Sequence, residues 1–221
     1  MLELYPDFHQ SWLSRSHVLE TLGQYEEAIA SCDKALEIQP HFSPAWFFKA
    51  QLLARMGHSE DAIASYTKVI EIVPDHSVAW HNRSLALSGI DQHEAAAVGF
   101  RKSIELRSDK SSSVSWMCLG RTLTSLGRDE EAIACFDKVL ELGNYRQQGT
   151  WAGRIVPLLR LGRYREVPIA IYKFMRSFRL DSGFREWIER RVAISLRQWS
   201  LHSLVTPWRK LLGAIGFRVK R

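Results

Sequence analysis

Three cysteines and eight histidines are the side chains of this 221-residue chain that could do covalent or metal chemistry. Cys32, Cys118 and Cys135 show no CxxC spacing and are too few for a disulfide framework. They read as small packing residues of a reducing compartment. A reactive thiolate wants a fixed basic neighbour. Only Cys118 has one at helical spacing, Arg121, and Arg121 reads better as a groove residue. The histidines are scattered. The closest pair with an acid between them, His81 and His93, falls on two different helices, which fits loop or surface histidines rather than a metal pair. No P-loop, GxSxG or HExxH motif occurs. The expectation is therefore no enzyme, no cofactor and no metal, which leaves recognition.

The elements that carry these side chains repeat. Tryptophans stand at Trp12, Trp46, Trp80, Trp116 and Trp151, in steps of 34, 34, 36 and 35. Sixteen residues behind them run Ala28, Ala62, Ala96, Ala132 and Val167, and four further on Cys32, Tyr66, Phe100, Phe136 and Ile171. Glycines at Gly23, Gly57, Gly127 and Gly162, with Asp91 in the third slot, mark a turn inside each unit. Glu26 and Glu27 open the second helix of the first unit, where carboxylates suit the helix dipole, and Pro40 closes it. Each unit is thus two antiparallel helices of about twelve residues joined by a short turn. The small residues Ser16 and Ala28 let the helices approach, and the tryptophan fills the space between one hairpin and the next.

Such a pattern resembles the tetratricopeptide repeat, whose signature is W-x2-L-G-x2-Y…A-x3-F…P over 34 residues. Glu26–Pro40, Glu60–Pro74 and Glu130–Asn144 match its second half closely. The departures are a basic residue in the usual leucine slot at Arg15, Lys49, Arg83 and Arg154, and leucine for the tyrosine at Leu19, Leu53, Leu87, Leu123 and Leu158. The basic slot is similar in style to bacterial, especially cyanobacterial, arrays. Each such cation is expected to reach an acid such as Glu20 or Asp61. Pro157 and Pro168 should each kink or shorten a helix of the fifth unit.

The resemblance implies an all-α, right-handed α-solenoid of about five units near 9–42, 43–76, 77–112, 113–147 and 148–181. Residues 1–8 read as a remnant of a preceding repeat, because Leu2-Glu3-Leu4-Tyr5-Pro6 is in phase with Leu36-Glu37-Ile38-Gln39-Pro40. A solenoid end left this way exposes the apolar face of its first helix. In the family the first helix of each unit lines the concave face. Its contacting slots correspond here to Leu13 and His17, Phe47 and Gln51, His81 and Leu85, Met117 and Arg121, then Ala152 and Val156. Further along the same helices they include Glu20, Arg55, Thr124 and Arg160. A few apolar anchors among polar groups suit an extended peptide or an amphipathic helix of another protein. Phe47 and Phe48 cannot both face inward, so one is expected to be exposed or to meet a partner. The carboxylate clamp of chaperone-tail binders needs two lysines; of the corresponding residues Leu13, His17, Phe48, Val78 and Asn82, or Phe47, Gln51, Asn82, Val114 and Cys118, only Asn82 fits.

Charge separates the last third. Residues 1–145 hold 13 basic and 20 acidic side chains, a charge of −7, and residues 146–221 hold 17 and 4, a charge of +13. Residues 182–221 read as a capping helix, with Phe184, Trp187, Ile188, Val192, Leu196 and Trp199 on one stripe, followed by an amphipathic tail. In the tail Arg209, Lys210, Arg218, Lys220 and Arg221 accompany Trp208, Leu211, Leu212 and Ile215. Either this tail packs on the preceding helix, or residues 184–221 meet a membrane surface or nucleic acid while the repeats act as scaffold. A third reading is a regulatory fragment of a larger multidomain protein. The N-terminus lacks a basic segment followed by a long apolar run, so a secretion signal is not expected. The expectation is a cytoplasmic scaffold, with membrane association through the tail as the alternative.

Overall fold

The computed structural model describes residues 8–107, 112–143 and 147–176. Ten helices occur among them: α1 (His9–Thr21), α2 (Tyr25–Ile38), α3 (Ser43–Arg55), α4 (Ser59–Ile72), α5 (Ser77–Gly89), α6 (His93–Glu105), α7 (Ser113–Ser125), α8 (Asp129–Glu141), α9 (Gln147–Arg160) and α10 (Val167–Arg176). No strand occurs among the described residues. The fold is an all-α helical repeat array, and the chain divides into two compact units, Met1–Ser115 and Trp116–Arg221.

In the first unit α1–α2, α3–α4 and α5–α6 form successive hairpins. Ala28, Ala62 and Ala96 have no exposed surface, because each sits where two helices cross closely. The Ser16 hydroxyl donates to the Ala28 carbonyl at 2.7 Å and lies 3.1 Å from the Cys32 sulfur, so this small polar residue is satisfied inside the crossing. The approach is tightest at Gly99, where an added Cβ would meet the Ser84 hydroxyl at 2.1 Å. Each turn closes in the same way. The backbone N–H groups of Gln24, His58 and Gln92 donate to the carbonyls of Leu19, Leu53 and Leu87, each at 2.9 Å, which satisfies helix-end carbonyls by a Schellman pattern. Asp91, in the glycine slot, takes φ 60°, a region that Asp enters more readily than most side chains. Between hairpins, the Trp46 and Trp80 indoles donate to the carbonyls of Pro40 and Pro74 at 2.8 and 2.9 Å. That bond ties the tryptophan of each hairpin to the loop that ends the preceding one.

In the second unit α7 is closed by the same turn bond, Arg128 N–H to the Leu123 carbonyl, and α9 by Arg163 N–H to that of Leu158. Phe136 of α8 is fully buried between Gly120 of α7 and Gly153 of α9. A Cβ on either glycine would come within 2.8 or 2.6 Å of its ring. Pro168 is the second residue of α10, which starts at Val167, so the proline stands in the first helical turn, where a missing N–H costs least. Pro157 lies inside α9, which nevertheless keeps 14 residues. The ring is fully buried, and packing outweighs a local penalty of about 3 kcal/mol.

In the basic slot three of the four cations reach an acid, but not the acids the sequence suggested. Its cations lie over the tryptophan three residues earlier: Arg15 over Trp12, Lys49 over Trp46, Arg83 over Trp80 and Arg154 over Trp151, at 5.2–5.9 Å from the ring centroids. Their acids are neither Glu20 nor Asp61. Lys49 reaches back to Asp33 at 2.5 Å, Arg154 takes Asp137 at 2.9 Å and Glu166 at 3.6 Å, and Arg15 lies 3.9 Å from Glu27. The slot faces the second helices of the preceding hairpin and of its own, which carry these acids. Glu20 is taken by Arg55 at 2.6 Å. In the third repeat Thr67 and Ala95 occupy the acid positions, and the Arg83 Nε is buried without a partner.

Candidate binding groove

Along the first unit the slot residues are mostly absorbed by packing. Leu13 is half-buried against the Cys32–Phe48 and Ala35–Ala45 clusters. His17 is exposed, with its ring against Phe48 at a centroid distance of 3.9 Å. Phe48 is 6% exposed. Phe47 is half-buried, 5.8 Å from the Tyr66 ring and 4.9 Å from that of His76. Neither phenylalanine stands exposed, although Phe47 keeps part of its surface open. They point to opposite neighbours, one into its own joint and one into the next, and each finds an aromatic there. Gln51 and Leu85 are exposed. Asn82 is hydrogen-bonded to Tyr66, whose hydroxyl is pushed up to about 12 by burial against that bond. The His81 Nδ1 stands 2.8 Å from the Ser115 hydroxyl, which lies 3.2 Å from that of Ser103. Burial, then Arg107, lowers the His81 pKa from its ordinary 6.5, so the ring is neutral at physiological pH.

In the second unit the slot residues surround a cavity. Met117 and Arg121 of α7 and Ala152 and Val156 of α9 line a volume of about 370 Å³, with Thr124 and Ser125 at one end and Phe136 at its base. Sequence reasoning identified the four slot residues and Thr124. It missed Phe136, Gly149 and Gly153. Glycines at 149 and 153 open this space, since side chains there would project toward Met117 and the Phe136 ring. The Thr124 hydroxyl is used by the Gly120 carbonyl at 2.8 Å. Arg160 is held by the Thr124 carbonyl at 2.7 Å and by Asp129 at 3.3 Å. Arg121 is exposed at the rim and forms no ion pair with a described residue. The arrangement is an apolar socket with one uncommitted cation. It can seat a bulky apolar side chain and attract a nearby carboxylate.

Among the described residues no group of three His, Cys, Asp or Glu side chains could hold a metal, and no helix is long and apolar enough to cross a membrane. The basic residues Arg209, Lys210, Arg218, Lys220 and Arg221 lie outside the described residues, as do the capping stripe and residues 1–7.

Two family models, both described as tetratricopeptide repeat, match residues 21–85 and 114–142. Among curated proteins none matches significantly. Solved structures similar in fold include MamA, at 18% identity and TM-score 0.72, covering 78% of this chain and 96% of that one. YrrB, described as having an unusual peptide-binding site, is 15% identical at TM-score 0.72, covering 86% and 95%. The pilF protein of Pseudomonas aeruginosa is 16% identical at TM-score 0.66, covering 95% and 93%.

Proposed function

The chain is a tetratricopeptide-repeat protein, and on that premise we propose that it is a non-enzymatic binding module. Its socket between α7 and α9 takes one bulky apolar side chain of an extended peptide or helix from another protein. Arg121 receives a carboxylate beside that side chain. The observation that carries this reading is the convergence of equivalent slots from two successive first helices on one cavity, with Arg121 exposed at its rim and making no ion pair among the described residues. Apolar burial supplies affinity, and the single charge supplies register and orientation.

The test is selection of short peptides from a random display library with the intact protein as bait, followed by binding measurements on Gly149→Leu and Arg121→Glu. The first variant fills the socket from an exposed position where an added Cβ meets only the Met117 sulfur, at an ordinary 3.5 Å. Enriched peptides should pair a large apolar residue with Asp or Glu, and should lose affinity about tenfold on Gly149→Leu. Peptides that bind both variants as well as the wild type would refute the assignment.

A second reading rests on charge. Residues 1–145, at −7, and residues 146–221, at +13, should not share partners. The segment 184–221 would carry association with an anionic membrane or nucleic acid, and its affinity would then fall steeply with salt.

A further inference from the structure

The two walls of the socket differ in chemistry. On α9, Gly149 and Gly153 stand one turn apart, so bare backbone runs along this wall, and Ala152 and Val156 supply its side chains. A glycine weakens a helix interior, and only one of these two is needed by the core. Gly153 makes room for the Phe136 ring, which a Cβ there would meet at 2.6 Å. Gly149 is exposed, and a Cβ there would meet only the Met117 sulfur, at an ordinary 3.5 Å. Packing therefore does not require glycine at 149. What its absence of a side chain leaves is open backbone facing the cavity.

On α7 the wall is made by Met117 and, one turn on, Arg121. A thioether and a guanidinium are the two side-chain groups that gain most from an aromatic ring over an aliphatic chain of the same bulk. The chain itself shows the second preference. All four cations of the basic slot lie over a tryptophan ring, at 5.2–5.9 Å from the centroid. Arg121 has no such ring in its own sequence register, since the residue three before it is Cys118. It is exposed at the rim and makes no ion pair among the described residues.

We propose that the socket is selective for an aromatic side chain, Phe, Tyr or Trp, of the partner segment. The flat ring lies against the glycine strip of α9 with its edge toward the Met117 sulfur. Arg121 stacks on its outer face and keeps the edge of its guanidinium for the neighbouring carboxylate, two contacts that a planar fork makes at once. An aliphatic side chain of equal size gains burial and nothing more. This selectivity rests on the socket being the binding site, and it names the class of residue read there.

The probe is a display library of random short peptides selected on the intact protein. The most enriched sequence is synthesised twice, once as selected and once with cyclohexylalanine at its socket residue, which keeps the outline of a ring and removes the π electrons. Both are titrated by fluorescence anisotropy into the wild type, Gly149→Leu and Met117→Leu. Selected sequences should place Phe, Tyr or Trp beside Asp or Glu, and the cyclohexylalanine peptide should bind the wild type about five- to tenfold more weakly. Met117→Leu, a volume-conserving change, should narrow that gap about threefold by weakening the aromatic peptide alone. Far-UV circular dichroism should be unchanged in both variants; should Gly149→Leu lose helicity, Gly149→Ala replaces it and should weaken binding less. Equal affinity of the two peptides for the wild type, or Met117→Leu weakening both alike, would overturn the aromatic selectivity and leave the socket standing. So would selected sequences that carry Leu, Ile or Met as the residue Gly149→Leu excludes. Peptides whose binding Gly149→Leu leaves intact, or a library from which nothing is enriched, would overturn the socket together with its selectivity.

Discussion

Cys32, which reads in the sequence as a packing residue, is closed to thiol chemistry in the fold. It has no exposed surface, and burial raises its thiol to about 11 against the opposing hydrogen bond from Ser16. At mildly alkaline pH the thiolate fraction is then about a thousandth or less, and access is closed as well. In a variant whose Cys118 and Cys135 are replaced by serine, a disulfide reagent should label Cys32 only as fast as the protein unfolds. Rapid labelling in native buffer would contradict the buried placement. His81 makes the complementary case. Its folded pKa is lowered, so the unfolded chain binds more protons between that value and 6.5. The stability from keeping the ring neutral is present above 6.5 and is lost as pH falls below it. His81→Gln, which can still bond Ser115, should flatten that acid-side loss in thermal melts, and an unchanged pH profile would count against it.

At the scale of elements, the hairpins were almost fully legible. The glycine series located the turn inside each hairpin of the described residues, including Asp91 at positive φ, though not the turn at Gly143 after α8. Legibility failed where a contact depends on which face meets which neighbour. The sequence shows that Arg15, Lys49 and Arg154 share a slot, but the acids they reach lie on second helices 12 to 17 residues away, and only packing selects them. The socket is a similar case. Met117, Arg121, Ala152 and Val156 follow from the slot pattern, whereas Phe136 reads as core, and its place at the base depends on Gly120 and Gly153 flanking it in space. The crossings themselves make a sharp prediction. Ala62→Leu or Ala132→Leu should force a hairpin apart, at about 1–3 kcal/mol or more. A denaturant midpoint indistinguishable from wild type would contradict the close crossing.

At the scale of the whole molecule, two candidate binding regions differ in chemistry: the socket is apolar with one cation, and the sequence beyond residue 181 is strongly basic. Salt should discriminate between them. Association through the basic segment should collapse with ionic strength, while binding at the socket should weaken only modestly, because one charge contributes. The central claim is that recognition passes through the socket, and methyl NMR of the methionines tests it most directly. Met117 lines the socket, and Met56, at the end of α3, provides an internal reference in the other unit. On titration with a library-selected peptide, the Met117 methyl resonance should shift and show cross-peaks to the apolar side chain of the peptide, with Met56 unmoved. A peptide that binds tightly while the Met117 resonance stays in place would contradict the account.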